Sequence, residues 1–438
     1  MIFEDQILEL SAYRAAERTI AIKNRNDWAP LVVFGDNQSL PIHDWFRFKE
    51  GFSASLLGSV VTEFSDVIRS RELIVLDPFC GVGTTVLSAQ SCSSKTIHGI
   101  GIERNPFIHF VASTKLRWMS MNATSLVKDG LRAISTSNDL NPKLPSLSSV
   151  REGRCISVHI ARRLIAITEA AMEIGQNRDF VNLGVAASIE SLSRVRRDGR
   201  ALRIVKKPIR KVEPVLREMW ASMARDVTLL RQSRPDKSSI CTVILGDGRD
   251  PAMSGIPDES VDLIVTSPPY PNNIDYSEVY KLELWLLGFV RSAAEFLALR
   301  RSTVRSHPTY ERTDAIPLDF EHELLRGSLN GLLGGLLQRL ENSPDAWRAK
   351  MLSAYFADMW RGIGNFKRTL TKDGIAALVV GNSLHGNSLP ALVATDLILA
   401  RIAECHGMNV HIAVVRPLKR RLSGNHFLRE SIVIMKKC

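Results

Sequence analysis

Residues 73–77, Leu-Ile-Val-Leu-Asp, form a short apolar run that ends on an acidic residue and opens into a glycine-bearing loop. A run of this length, bounded by a charge, is typical of a strand that is buried on both faces of a parallel sheet. The loop over 78–85, Pro-Phe-Cys-Gly-Val-Gly-Thr-Thr, leads into a helical stretch. A strand, a glycine turn and a helix in this order predict the first unit of an open α/β sheet.

The same alternation returns along the chain and predicts a doubly wound, mostly parallel α/β sheet. Further strands are predicted at 96–103, 242–247, 261–267 and 375–381, with helical segments between them. Two β-rich runs flank a basic Gly-Asn turn over 410–437, which predicts a C-terminal β-hairpin.

Two stretches interrupt this pattern, and we interpret both as insertions. The first mixes polar loops with helical segments and is predicted to be largely helical, while the second is polar and basic. Helices are also expected at 4–24 and, rich in aromatic residues, at 276–290. The predicted organisation is an N-terminal helical segment (1–42), a first part of the core (43–118), an insertion (119–211), a second part of the core (212–290), a second insertion (291–345) and a C-terminal part (346–438).

Composition limits the kinds of partner and compartment to expect. The chain has 57 Lys and Arg against 46 Asp and Glu, which gives a net charge of +11. This charge favours a polyanionic partner such as nucleic acid, but it also promotes solubility. The six cysteines are scattered without a Cys-x-x-Cys pair, so we expect neither a disulfide framework nor a metal site. Since no apolar run approaches the ~20 residues of a membrane span, we expect a soluble, cytoplasmic protein.

The glycine loop and two acidic residues suggest a ligand. Gly81 and Gly83 let the backbone approach a bound group, although any tight strand-to-helix turn needs such glycines. No Lys follows them, as a P-loop requires, and the third glycine of the dinucleotide fingerprint is missing. Glu103 ends the second predicted strand, where a carboxylate can accept from ribose hydroxyls, and the pairing suggests an adenosine-containing cofactor. Asp247 ends the third strand and either accepts from the ligand or caps a turn.

The fourth predicted strand ends in Thr-Ser-Pro-Pro-Tyr over 266–270. Two consecutive prolines fix φ and remove two backbone donors, which leaves a rigid edge rich in acceptors beside an aromatic ring. Such an edge suits a planar group that carries an amine. A proline-terminated strand with a packed tyrosine is the structural alternative.

Together, Asp-Pro-Phe-Cys-Gly-Val-Gly-Thr-Thr, Thr-Ser-Pro-Pro-Tyr and an acidic residue after the second strand resemble the amino-group DNA methyltransferases that use S-adenosylmethionine. The resemblance covers about 43–118, 212–290 and 350–438, and departs at Val82, where that family usually has Ser. His43 and Lys49 only partly match the family's segment before the cofactor strand. A Rossmann-like methyltransferase core is the fold it implies.

The resemblance also implies roles for individual residues. The cofactor would contact Asp77, Phe79, Gly81, Gly83, Thr84, Thr85, Glu103 and Asp247. The catalytic loop would be Ser267, Pro268, Pro269 and Tyr270, with Ser267 and the Pro268 carbonyl accepting from the target amine and Tyr270 stacking on the base. The first insertion would recognise the DNA site, with the second assisting or forming a dimer contact.

The reaction that follows is methylation of an exocyclic amine on a base flipped out of double-stranded DNA. Ser-Pro-Pro is typical of the cytosine-N4 members, whereas Asp or Asn in the first position is typical of the adenine-N6 members. N4 is therefore favoured and N6 stays open. Methylation of the cytosine ring carbon needs a thiolate, and no cysteine lies in a Pro-Cys pair.

A basic run over 193–211 falls at the end of the first insertion. It is either a solvated charged face or a phosphate-binding surface, and next to a base-modifying pocket the second interpretation gains weight. The residues expected to contact DNA are Arg194, Arg196, Arg197, Arg200, Lys206 and Lys207.

Three other functions remain as alternatives at this stage: an RNA methyltransferase on the same core, a non-catalytic DNA-binding module and, marginally, a nucleotide-dependent dehydrogenase. Intact glycines and the Ser-Pro-Pro-Tyr loop argue against the binding module. A cognate restriction endonuclease is a further partner that the resemblance suggests.

Overall fold

The structure is a computed structural model that describes residues 9–48, 51–68, 72–92, 95–197, 202–233, 239–308, 316–385, 390–418 and 427–438. Its strands are, in chain order, β1 (Ala21–Asn24), β2 (Glu72–Asp77), β3 (Thr96–Glu103), β4 (Val195–Arg196), β5 (Arg203–Ile204), β6 (Cys241–Leu245), β7 (Val261–Thr266), β8 (Leu370–Gly381), β9 (Ser383–His385), β10 (Ala391–Val393), β11 (Met408–Pro417) and β12 (Arg429–Lys437).

Helices cover both faces of the sheet and build the insertions. They are α1 (Leu10–Glu17), α2 (Leu56–Glu63), α3 (Thr84–Ser91), α4 (Pro106–Leu116), α5 (Leu126–Thr136), α6 (Ser148–Arg151), α7 (Val158–Ala170), α8 (Arg178–Ser188), α9 (Val212–Ser233), α10 (Tyr276–Val279), α11 (Lys281–Leu286), α12 (Ala293–Ser302), α13 (Leu318–Leu325), α14 (Gly335–Glu341), α15 (Ala346–Thr369) and α16 (Thr395–Cys405). Among the helices of the described residues, none is both long and apolar enough to cross a membrane.

The main sheet has eight strands in the order β1-β11-β12-β8-β7-β2-β3-β6. β12 runs antiparallel to both of its neighbours, and the other neighbouring strands are parallel. The chain leaves β2 toward β3 and β6 on one side and returns to β7 on the other. This reversal is a topological switch point, which opens a crevice beyond the carboxyl ends of β2 and β7.

The strands are apolar along their length because helices bury both faces. On one face Leu76 and Ile264 pack with α15 and α16, while on the other Val75 and Leu263 pack with α2. The doubly wound, mostly parallel α/β sheet and the C-terminal hairpin, β11 and β12, are thus confirmed, as is the largely helical character of the first insertion. The tip of the hairpin lies outside the described residues.

The first insertion is anchored on a buried tryptophan of α9. A Cβ on Gly130 of α5 or on Gly184 of α8 would lie 2.3 Å from the Trp220 side chain, so both helices approach the indole where only glycine fits. The Trp220 Nε1–H donates to the Val181 carbonyl at 3.1 Å. The insertion therefore packs as one unit against the long helix that returns the chain to the core.

Two helix predictions were wrong in extent. Within 4–24 the described part of the chain is helical only over Leu10–Glu17, and 21–24 form β1, a parallel partner of β11. That strand is stabilised by pairing with a distant segment rather than by local periodicity. The helix expected at 276–290 is two short helices, α10 and α11, separated at Tyr280.

Candidate active site

A cleft opens above the carboxyl ends of β2, β3, β6 and β7, with about 870 Å³ of space between its walls. We call it the central cleft. Its walls include Phe48, Pro78, Phe79, Gly81, Glu103, Asn105, Asp247, Gly248, Ser267, Pro268, Pro269, Tyr270, Tyr276 and the stretch from Ser302 to His307 without Arg305.

Behind the wall of the cleft, Asp77 joins the glycine loop to the end of β7, where the Ser-Pro-Pro-Tyr loop begins. Its carboxylate accepts from the Thr85 hydroxyl and from the Thr266 hydroxyl, both at 2.6 Å, and from the Phe79 amide at 3.2 Å. Burial raises the pKa of Asp77 to about 6, although these three donors oppose the shift. We expected Asp77 to contact a ligand directly, but its side chain lies behind the wall, where it fixes the ends of β2 and β7 relative to each other.

The glycine loop has the backbone that only glycine adopts easily. Gly81 and Gly83 have φ angles of +52° and +88°, in the left-handed region. A Cβ on Gly81 would lie 3.1 Å from the Phe48 ring, so a side chain there would push on the cleft wall. Thr84 and Thr85 follow as the buried first turn of α3.

Glu103 lies in the wall with its carboxylate close to the glycine loop. The Gly81 amide donates to it at 3.0 Å and the Asn105 amide at 2.8 Å. Burial raises the pKa of Glu103 to about 7, partly offset by these two amide donors and reinforced by the charge of Asp77. This carboxyl group therefore titrates near neutral pH.

Asp247 belongs to a chain of buried ion pairs. Arg249 donates to Asp247 at 2.7 Å and to Asp358 of α15 at 2.9 Å, and Arg305 donates to the same Asp358 oxygen at 2.7 Å. Burial alone would raise the pKa of Asp247, but the hydrogen bonds and charge of Arg249 outweigh it and hold that pKa below its usual value. The carboxylate is thus kept ionised and oriented in the cleft wall.

Gly248 brings the loop after β6 against the loop after β2. A Cβ built on it would lie only 1.6 Å from the Pro78 carbonyl oxygen. No other residue fits without separating the two loops, so this glycine sets the width of the cleft beside Asp247.

The Ser-Pro-Pro-Tyr loop stands between the central cleft and a second cavity. Ser267 Oγ donates to the Val379 carbonyl at 3.2 Å and lies 3.5 Å from the Tyr270 hydroxyl, which is 3.4 Å from Glu430 Oε1. The Tyr270 ring packs over Gly381, where a Cβ would approach it to 3.0 Å. The second cavity, here the side chamber, has about 540 Å³ of space and is lined by Val32, Val33, Phe34, Gly51, Phe52, Ser267, Tyr270, Val379, Arg416 and Glu430.

Comparison with known proteins finds relatives that are Type II methyltransferases. The chain is 26% identical to the Type II methyltransferase M.AvaI of Nostoc sp. over 438 aligned residues, which cover 93% of this chain and 87% of that protein. It is 25% identical to the Type II methyltransferase M.BsoBI of Geobacillus stearothermophilus over 469 aligned residues, which cover 93% and 88%. No protein-family model matches the chain.

The chain is thus similar, over nearly all of its length, to Type II methyltransferases of restriction-modification systems. Methyltransferases of this type use S-adenosylmethionine as the methyl donor. The central cleft fits such a group, because two acceptor carboxylates and a glycine cradle face one crevice at the switch point.

Stacked aromatic rings line one wall of the central cleft. The Phe48 ring stacks on Tyr276 and on Tyr280, with centroids 5.6 Å apart in both pairs and interplanar angles of 7° and 10°. The segment before it is fastened to α4 by the fully buried Lys115, whose ammonium donates to the His43 and Phe46 carbonyls. Burial lowers the pKa of Lys115 to about 7. Lys49, the other partial match to the family's segment, lies outside the described residues.

The basic residues over 193–211 divide into two groups. Arg197 is buried, with a side chain 9% exposed, and pairs with Glu283 and Glu190 beside the rings of Phe46 and Tyr280. Lys207 donates to two backbone carbonyls at 2.6 Å. Both were expected to contact DNA, but their charges serve the internal packing of the insertion. Arg194, Arg196 and Lys206 are exposed, and Arg200 lies outside the described residues.

Sequence reasoning missed Asp358 and Arg305. Arg249 lies two residues from Asp247, which hints at a pair, but Asp358 and Arg305 come from α15 and from the end of the second insertion. Nothing local distinguishes them from surface charges.

We predict that Asp358→Asn lowers the free energy of unfolding by about 3 kcal/mol, because it removes a buried carboxylate that the guanidinium groups of Arg249 and Arg305 share. Asp250→Asn is the matched control, since Asp250 pairs at 2.9 Å with the half-exposed Arg361 on the same face. Its expected cost is about 1 kcal/mol or less. Urea denaturation of both variants measures the difference, and equal costs would contradict a supporting role for the buried network.

Proposed function

We propose that this methyltransferase transfers the methyl group of S-adenosylmethionine to the exocyclic N4 of a cytosine flipped out of double-stranded DNA, with the N6 of adenine as the alternative. The observation that supports it best is the position of the Ser-Pro-Pro-Tyr loop, whose Ser267 and Tyr270 line the central cleft and the side chamber together. A methyl donor in one cavity and a base in the other would meet at this loop.

The chemistry requires the loop to activate a poor nucleophile. The lone pair of an exocyclic amine is delocalised into the ring, and acceptors on its N–H bonds favour a tetrahedral nitrogen with a localised pair. We assign this task to the Ser267 hydroxyl and the Pro268 carbonyl, with Pro269 fixing the backbone. Held in this way, the nitrogen would be oriented for in-line attack on the methyl group that bound S-adenosylmethionine supplies, and the proton it releases would pass to solvent. Orientation and electrostatics supply most of the acceleration.

The cofactor roles follow from the walls of the central cleft. We assign the ribose hydroxyls to Glu103, the adenine amine to Asp247, and the methionine end to Phe79 and the backbone at Gly81. Gly83, Thr84 and Thr85 shape the loop and the start of α3, and Asp77 acts through Thr85 and Thr266. Sulfonium methyl transfer is the chemistry that the bound cofactor supplies.

The preference for cytosine rests on Ser267, since Ser in the first position of the loop is typical of the N4 members of the family. Stacking in the chamber contributes roughly 1–3 kcal/mol per base, which helps offset the few kcal/mol of flipping. Tyr270, Phe34 and Phe52 are the aromatic residues of the chamber lining that offer such contacts there.

We predict that DNA from cells expressing the protein contains N4-methylcytosine, and that Ser267→Ala reduces it at least tenfold because one amine acceptor is lost. Mass spectrometry of hydrolysed nucleosides measures the modified base. Ser260→Ala is the control, because this hydroxyl donates to the Pro257 carbonyl just before β7 begins, at the opposite end from the loop. N6-methyladenine in its place would contradict the base assignment, and wild-type yields from Ser267→Ala would contradict the mechanism.

We predict that affinity for S-adenosylmethionine falls as the pH drops from 8 to 6. A ribose diol donates to the ionised Glu103, whose pKa is about 7, so protonation removes an acceptor and costs about tenfold by pH 6. Titration calorimetry at each pH measures the dissociation constant. Glu103→Gln should bind weakly at every pH and lose this dependence, which separates Glu103 from the ionisation of the cofactor itself. Parallel pH profiles for the two proteins would rule out the assignment.

We predict that replacing Arg194, Arg196 and Lys206 with Gln weakens DNA binding and flattens its salt dependence. Each phosphate contact contributes roughly 0.9 to the slope of log affinity against log salt. The control removes the same charge from Lys23, Lys372 and Lys436. Fluorescence anisotropy across a salt series measures both slopes. A slope that drops equally in the two triple variants would show a nonspecific charge effect in place of a binding surface.

A further inference from the structure

Two charged residues of the side chamber have no role in the function described so far. Arg416 and Glu430 face each other as register partners on β11 and β12, and Glu430 also lies opposite Gly381 of β8. The register of β11 and β12 shifts between Val414 and Arg416, so Val415 is an extra residue in the ladder. Bulges of this kind redirect side chains and are frequent beside active sites.

The pair continues the polar contacts of the catalytic loop. Arg416 Nε donates to Glu430 Oε2 at 2.6 Å, and the other oxygen of the same carboxylate is 3.4 Å from the Tyr270 hydroxyl. That hydroxyl is 3.5 Å from Ser267 Oγ. Glu430 is 8% exposed, whereas Arg416 is 37% exposed, so a buried carboxylate holds a guanidinium that solvent still reaches.

We propose that Arg416, positioned by Glu430, reads the Watson–Crick edge of the flipped target base and that the edge it fits is that of cytosine. The proposal rests on the proposed function, because it assumes that the base enters the side chamber with its amine at Ser267.

The chemistry of the two candidate bases separates them. Beside its amine, cytosine carries two acceptors in a row, the ring N3 and O2, whereas adenine carries one acceptor, N1, followed by a C–H group. Arginine has donors only, arranged in a planar fork that matches adjacent acceptors. Amine acceptors at Ser267 and Pro268 and donors at Arg416 would together satisfy the whole cytosine edge. An adenine would leave one charged donor facing a C–H group, without the hydrogen bond that cytosine O2 would accept.

The test is a double-mutant cycle between the enzyme and its substrate. Wild type and Arg416→Met are compared on a duplex that carries, at the methylated position found by sequencing the DNA of expressing cells, either cytosine or 3-deazacytosine. The analogue keeps the amine and replaces the acceptor N3 with a C–H group. Its altered amine reactivity is the same for both enzymes, so it cancels in the cycle. Single-turnover rates and kcat/KM are measured.

We expect Arg416→Met alone and 3-deazacytosine alone each to lower kcat/KM at least tenfold. In the Arg416→Met variant, 3-deazacytosine should lower kcat/KM by less than a further threefold, because the donor to N3 is already gone. Arg416→Lys keeps the charge beside Glu430 without the planar fork, and should lie between wild type and Arg416→Met on cytosine. Affinity for S-adenosylmethionine should stay within twofold in both variants, which shows that the protein is folded.

Lys436→Met is the matched control, because Lys436 is a cation on β12, also 37% exposed, that pairs with Asp373. Two results would overturn the inference: the losses from Arg416→Met and from 3-deazacytosine multiply in full, or Arg416→Met is as fast as Lys436→Met. In either case Arg416 and Glu430 would be only a cross-strand ion pair. Failure of the wild type to methylate cytosine at all would instead refute the proposed function.

Discussion

The carboxylate of Asp77 holds the centre of the molecule together. It ends β2, and its two oxygens take the hydroxyls of Thr85 at the start of α3 and of Thr266 at the end of β7. The glycine loop and the Ser-Pro-Pro-Tyr loop both start from these residues. A buried carboxylate with satisfied acceptors fixes distances more rigidly than apolar packing does, because each missing hydrogen bond costs the full desolvation of the group. The relative position of the two loops therefore depends on this one side chain.

Buried ion pairs extend that control to both insertions. Asp358 links Arg305, at the end of the second insertion, to Arg249 and Asp247 in the cleft wall. Arg197 performs a similar task for the first insertion, since it pairs with Glu283 of α11 and lies 5.2 Å from the Phe46 ring centroid. The insertions are thus attached to the core by charges as well as by apolar contacts. Removing one member leaves its partner charged and buried, which is more costly than losing a surface pair.

The features that sequence reasoning predicted are those encoded by neighbouring residues. The core strands are continuous buried runs, the glycine loop needs φ angles that few other residues adopt, and the proline pair is rigid by its own covalent structure. The features it missed depend on partners far along the chain. β1 exists because residues 21–24 pair with 411–414. Arg197 is buried because it pairs with Glu283, a residue 86 positions away along the chain. A run of basic residues cannot reveal which member turns inward. The role of Asp77 also needed Thr266, a residue of another strand.

The central cleft and the side chamber differ in the charged groups that line them. Carboxylates, Glu103 and Asp247, line the central cleft, and they suit an adenosine that offers hydroxyl and amine donors. The side chamber presents the Arg416 guanidinium, held by Glu430 of the same lining, and its remaining donors suit a group rich in acceptors. Ser267 and Tyr270 line both cavities. A methyl donor in the central cleft and an acceptor base in the side chamber, each held by complementary charge, would therefore meet at the Ser-Pro-Pro-Tyr loop, which can accept from an amine. Specificity for the reaction would then follow from the binding of each reactant in its own cavity, before any bond changes.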